Sequence, residues 1–501
     1  MVTTNEASPS VSAWRAAVAY GLMLAAVVGV FLAIRAAGEA IPHAAAVSTT
    51  ASAAAGVVSK SNSLLQLLIA LAAVIVTGRL LGWAFRRIGQ PPVIGEVVAG
   101  ILLGPSLLGR EISSHILPDT VAPVLGLIAQ LGVILYMFLV GLELNAARLR
   151  RRAHTVVAIS HASIVAPFLL GAGLALLLFP DLSRPGVPFT SFALFMGVAM
   201  ATTAFPVLAR ILTDQRLAAT EMGVLALSCA AVDDVTAWCL LAFVVGVARA
   251  QVGGAVIVAG LAIAYVAFMF LAVRPLAARF VRRFEVGPPH PGAVAGMLVA
   301  VLLSALMTEA IGVHAVFGAF LLGAVIPHDS AVARAFTEKL EAIVTILLLP
   351  AFFTYTGMRT ESGLVSGAGP WLMCGLITLT ATVGKVGGTW VAARLTGLDR
   401  HTATALGVLM NTRGLMELIV LSIGLDLGVI SPTLFAMMVL MALATTMATA
   451  PMLRWLGVAP SVADLCEAGD CSLEPLLSEP RPASQRPATE DHATEVVSEK
   501  V

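Results

Sequence analysis

The chain has 501 residues, 58% of them hydrophobic and 12% charged, with a formal net charge of +1 and a mean hydropathy of +0.94. That composition excludes an ordinary soluble domain and describes a polytopic membrane protein. The net charge says nothing by itself about partners, since what matters is where the 30 basic residues lie, and no basic patch supports nucleic-acid binding. The five cysteines, three in apolar segments and two in a polar tail, lack metal-ligand spacing and read as structural thiols.

Residues 14–37 form the first apolar span. A cleaved signal peptide competes there with a retained anchor helix: alanine-rich segments at 44–46 and 51–55 offer small-residue cleavage sites, but the apolar run is long, which favours the retained helix. Either way residues 38–62 lie outside the cytoplasm, and on the favoured reading residues 1–62 make an N-terminal helix and an extracytoplasmic linker. Thirteen further spans are expected at about 63–85, 91–109, 121–143, 154–179, 189–212, 220–247, 253–279, 291–310, 312–327, 341–358, 370–395, 402–424 and 431–456. The positive-inside rule supports this threading. One alternate set of loops and span ends holds nineteen Lys and Arg, from Arg15 to Arg454; the other holds six, Arg35, Lys60, Arg110, Arg184, Arg249 and Arg359. The C-terminus is then cytoplasmic. Residues 457–501 turn polar and rich in Pro, Ser and Glu, a disordered cytoplasmic tail too short for a nucleotide-binding domain.

Two spans carry helix-breaking chemistry at mid-depth. The fifth reads Met200-Ala-Thr-Thr-Ala-Phe-Pro-Val207, where Pro206 removes a backbone donor and Thr202 and Thr203 can satisfy the groups it frees. The twelfth reads Leu409-Met-Asn-Thr-Arg-Gly-Leu-Met-Glu417, with Asn411, Thr412 and Gly414 as the interruption. They are seven spans apart, and an odd offset means opposite orientation, as an inverted repeat requires. The same offset relates span four to eleven and span six to thirteen.

Span six holds Asp233 and Asp234 alone in apolar sequence, roughly 18 Å beyond Glu221 by helical rise and so near the middle of a ~30 Å hydrocarbon layer. A lipid-facing carboxylate there is too costly. Span eleven brings Lys385, about 13 Å before Arg394 and so at matching depth. An ammonium and a carboxylate at one depth offset each other's desolvation, and Gly384, Gly387 and Gly388 would let another helix approach closely. Two acids meet one lysine, so one negative charge is left over. Burial and a neighbouring acid favour the neutral form of such a carboxyl, while Lys385 and a bound cation favour the ionised form. The group then holds a proton or a metal cation, and hardly both.

Five ordered motifs carry a resemblance: Gln90-Pro-Pro-Val-Ile-Gly-Glu-Val-Val-Ala-Gly-Ile-Leu-Leu-Gly-Pro-Ser106, Phe138-Leu-Val-Gly-Leu-Glu-Leu144, Thr203-Ala-Phe-Pro-Val-Leu-Ala-Arg-Ile-Leu212, Asp233-Asp-Val-Thr-Ala-Trp238 and Asn411-Thr-Arg-Gly-Leu-Met-Glu-Leu-Ile-Val420. From about Leu64 to Leu456 the chain resembles the cation:proton antiporter-2 family, most closely the plant cation/proton exchangers and their bacterial relatives. The resemblance implies an all-α, thirteen-helix antiporter fold with inverted repeats and crossed broken helices, here with one additional N-terminal helix. The exchanger domain would span 63–456, with a moving core of about 154–247 and 370–456 working like an elevator. It further implies a homodimer in the plasma membrane that needs no cofactor and exchanges K+ or Na+ for H+.

By family pattern Asp234 is the position that binds cation and proton alternately, with Asp233 as the partner of Lys385. Thr202 and Thr203 are expected to offer oxygens to the cation. Pro206, Asn411, Thr412, Arg413, Gly414 and Glu417 are expected to support the breaks, Arg413 and Glu417 sharing a helical face at a spacing of four. The chain lacks the nucleotide-binding domain of Kef-type relatives. A cation channel or uniporter, and a sensor that keeps a transporter fold, are the competing readings. An intramembrane aspartyl protease is disfavoured, because its two acids must come from separate helices and here they are adjacent.

Overall fold

The structure is a computed structural model that describes residues 13–41, 63–104, 121–143, 153–218, 220–249, 252–283, 291–327, 330–360 and 362–458, with a few isolated positions between 109 and 118. The 42–62 linker and the tail from 459 onward, with Cys466 and Cys471, lie outside the described residues. The described residues are almost wholly helical; their only strand-like pairing is the single bridge between Ser183 and Ile430.

In chain order the helices are α1 (Ala13–Glu39), α2 (Ser63–Arg87), α3 (Pro92–Leu103), α4 (Ala122–Glu143), α5 (Ala153–Leu182), α6 (Phe189–Ala201), α7 (Phe205–Asp214) and α8 (Glu221–Arg249). There follow α9 (Val252–Phe268), which runs through a π-helical turn into α10 (Arg274–Arg283), then α11 (Pro291–Ile311) and α12 (Ala315–Val325). The last are α13 (Ala331–Ile343), joined by a second π turn to α14 (Leu349–Met358), then α15 (Ala368–Leu395), α16 (Arg400–Met410), α17 (Leu415–Asp426) and α18 (Pro432–Trp455). Among the described residues eleven stretches are long and apolar enough to cross a membrane, α16 and α17 form a further pair bent by 42°, and α3 and α12 are shorter apolar helices.

Two boundaries differ from expectation. The span expected over 91–109 ends its helix at Leu103, because Gly104 is extended (ψ 170°) ahead of a proline, which disfavours the helical region for the residue before it. The span expected from 341 begins ten residues earlier, at Ala331. The Ser330 hydroxyl caps it, accepting from the Ala333 N–H at 3.1 Å. Arg334, Glu338, Lys339 and Glu341 look like a loop in sequence, yet Val332, Ala333, Ala335 and Phe336 of the same segment are buried, so it is an amphipathic helix.

The helices sort into two packed groups. α5, α6, α8, α15, α16, α17 and α18 pack around the breaks, and α2, α3, α4, α11, α12 and α14 pack on one another. Glycines set the closest approach in the first group. A Cβ at Gly388 would lie 2.6 Å from Ala166 Cβ, and one at Gly384 would lie 2.8 Å from Pro167 Cα, so both glycines seat α15 directly on α5. Gly387, expected to share that role, has open space beside it. α1 belongs with the first group: Met23, Val27, Phe31, Ile34 and Gly38 form its covered stripe, and Phe31 packs on Phe168 with ring centroids 6.0 Å apart.

Candidate ion-binding site

The two helix breaks meet. α6 ends at Ala201 and α7 begins at Phe205, with Thr202 and Ala204 extended between them. α16 ends at Met410, and Gly414 leads into α17. The Ala204 N–H donates to the Thr412 carbonyl at 3.0 Å, so each break satisfies part of the other. Pro206 stands in the first turn of α7, where its missing N–H would be unpaired in any case.

The carbonyls orphaned at the end of α6 face two buried cations. Lys385 Nζ, on α15, lies 2.5 Å from the Ala201 carbonyl. The Arg413 guanidinium reaches the Met200 carbonyl at 2.8 Å and the Ala199 carbonyl at 3.2 Å. Positive charge at a helix C-terminus is favourable, and more so away from water. Arg413 also lies 3.4 Å from Glu417, and its own backbone is clasped by the Thr446 hydroxyl, which accepts from the Arg413 N–H at 2.9 Å and donates to its carbonyl at 2.6 Å. Thr446 on α18 went unnoticed in the sequence, where it is one of several threonines in an apolar span.

The two adjacent acids of α8 have opposite surroundings. Asp233 is fully buried, and both its oxygens are occupied: Oδ1 accepts from the Ser160 hydroxyl at 2.5 Å, and Oδ2 accepts from Ser163 at 2.7 Å and Thr203 at 2.8 Å. Lys385 Nζ completes this shell at 3.0 Å from Oδ2. Ser160 and Ser163 were also missed; their signal is a spacing of three, which puts both hydroxyls on one face of α5. Asp234 is 1% exposed, and neither of its oxygens has a hydrogen-bond partner. The Phe205 N–H, at the start of α7, faces this carboxyl without closing a hydrogen bond.

The expected residues therefore gather around the two breaks but divide by partner. Thr203 stands on Asp233, and the Thr202 hydroxyl turns back to the Ala199 carbonyl at 3.2 Å. Asn411 Oδ1 and Thr412 Oγ1, in the second break, are buried and unpaired. The buried cluster holds Asp233, Asp234 and Glu417 against Lys385 and Arg413, so the Arg413–Glu417 pair leaves the imbalance of one acid untouched.

A helical membrane protein in which two interrupted helices cross beside paired acids and a lysine is built like an ion carrier. The chain belongs to the sodium/hydrogen exchanger family: the family model described as "Sodium/hydrogen exchanger, transmembrane" matches residues 70–456. It is 43% identical to the Na(+)/H(+) antiporter NhaS4 of Synechocystis sp., over 80% of this chain and 99% of that protein. It is 41% identical to Cation/H(+) antiporter 18 of Arabidopsis thaliana and 33% identical to K(+)/H(+) antiporter 1 of Saccharomyces cerevisiae. Those matches cover 78% and 79% of this chain but only 48% and 46% of the relatives, so the chain spans about half the length of these plant and yeast proteins. The fold is shared with the sodium proton antiporter MjNhaP1 from Methanocaldococcus jannaschii, at a TM-score of 0.58 and 14% identity over 79% of this chain and 98% of that one.

Proposed function

We propose that this chain is a secondary active antiporter, not an enzyme, that exchanges a monovalent cation, K+ or Na+, for H+ by alternating access. Cation and proton compete for Asp234. The observation that carries the reading is a buried carboxyl with both oxygens unpaired, beside an acid whose charge is already matched by Lys385. A proton or an alkali cation meets the same need at Asp234, and each displaces the other. The names of the relatives, which cover Na+, K+ and unspecified cations, support a monovalent cation as the cargo.

Asp233 and Lys385 serve as the fixed, charge-compensating floor of the site. Thr203 holds Asp233, and Thr202 and Thr203 reach a cation only by leaving their present partners. Pro206, Asn411, Thr412, Arg413, Gly414 and Glu417 keep the two breaks in register. Asp234 is closed off from solvent here, so release to either face takes a rearrangement of the surrounding helices, which favours a carrier over an open channel. The working form is a homodimer in the plasma membrane with a cytoplasmic C-terminus, moving its ions without a cofactor.

The test is proton flux in proteoliposomes on addition of K+ or Na+. The wild type moves protons against the cation, and Asp234→Asn abolishes the flux while remaining folded. Flux at the wild-type rate in Asp234→Asn would sink this reading.

A further inference from the structure

The indole N–H of Trp238 has no partner, although the side chain is only 1% exposed. A buried tryptophan ordinarily finds an acceptor. Four residues earlier on the same helix, Asp234 has two acceptor oxygens and no donor bound to them. Residues four apart on a helix share a face, with Cβ atoms about 5–6 Å apart. Long helical side chains also lean over the turn that precedes them. By that geometry Trp238 belongs over the turn that carries Asp234.

The other neighbours of the indole and of the acid narrow its role. The Trp238 ring rests against Phe320 of α12, with centroids 6.3 Å apart, so it is wedged between α8 and the second group of helices. The charged groups that bear on Asp234 are Asp233 on its own helix and Lys385 on α15, with the Phe205 N–H from the first break. Lys385 is committed to Asp233 and to the Ala201 carbonyl. That leaves the indole as an uncommitted side-chain donor one helical turn from an uncommitted acceptor.

We infer that the Trp238 indole N–H is an internal ligand of Asp234, donated to the ionised, cation-free carboxylate and withdrawn when a cation or a proton takes its place. The inference rests on Asp234 being the seat of exchange and adds the group that competes for it. An N–H and an alkali cation both present positive charge to the same lone pairs, so binding of one excludes the other. The consequence is functional. A side-chain donor held in reserve offsets part of the carboxylate's grip on its cargo and so eases release.

The experiment replaces the indole N–H while keeping its shape. β-(3-Benzothienyl)alanine at position 238 retains the fused ring and exchanges N–H for sulfur, and Trp238→Phe is the simpler companion. Exchange in proteoliposomes is measured as a function of cation concentration and pH. Loss of a hydrogen bond to a charged acceptor predicts a cation KM about tenfold lower. By the same amount of free energy, the pH of half-maximal exchange moves up by about one unit, because the proton is also held more firmly. Phe320→Leu, which loosens the packing and keeps the N–H, lowers the rate without either shift. A benzothienyl variant with an unchanged or raised KM, or with no exchange at all, overturns the inference. That failure is separate from failure of the antiport reading, which is decided by Asp234→Asn.

Discussion

One face of α8 beside the two breaks is finished and the other is not. On the first, Asp233 is held by three hydroxyls and an ammonium drawn from α5, the first break and α15. On the second, Asp234 and Trp238 bring two acceptors and a donor that close no hydrogen bond. The two acids are chain neighbours at nearly the same depth, so depth does not distinguish them; a rotation of about 100° around the helix does. The difference teaches that a buried ionisable group can be structural or available according to what the neighbouring helices bring to it.

The comparison can be broken from its finished side. Asp233→Ala strips Lys385 of its counter-charge at a fully buried position, which should cost about 3–5 kcal/mol. A large drop in thermal stability in detergent would register it. Asp234→Asn, assayed alongside, should leave stability unchanged or raise it, because it removes a buried acid whose oxygens close no hydrogen bond here and keeps an amide oxygen that can still accept from Trp238. Equal destabilisation by the two substitutions would erase the distinction between the faces. A smaller effect sharpens it: Ser163→Ala removes one hydrogen bond to a charged acceptor and should cost about 1.5–3 kcal/mol, read as a shift in denaturant midpoint. No shift would mean that the remaining hydroxyls and Lys385 satisfy Asp233 without it.

Much of this arrangement could be read from the chain, for identifiable reasons. The two breaks were legible because Pro206, Thr202 and Thr203 in one span, and Asn411 and Gly414 in another, are unusual in apolar sequence. The approach of Lys385 to the acids followed from counting helical rise from the charged ends of two spans, a one-dimensional measure that survives folding. What the chain did not disclose depends on rotation and on small polar groups. Ser160 and Ser163 look like ordinary small residues in an apolar helix until α5 is turned toward Asp233. Thr202 and Thr203 are indistinguishable by sequence, yet one holds the acid and the other a local carbonyl. The Arg413 contacts with the Ala199 and Met200 carbonyls join residues more than 200 positions apart. The amphipathic α13 was hidden for a different reason, since its charges interrupt the hydrophobic run that marks a span.

The most direct test of the central claim is proton release on cation binding. Purified protein in weakly buffered detergent solution near neutral pH is titrated with K+ or Na+, and the change in pH is recorded. Competition at Asp234 predicts that protons leave as the cation binds, saturating with the cation concentration, and that Asp234→Asn releases none. Saturable cation binding with no proton released, or the same release from Asp234→Asn, would contradict it.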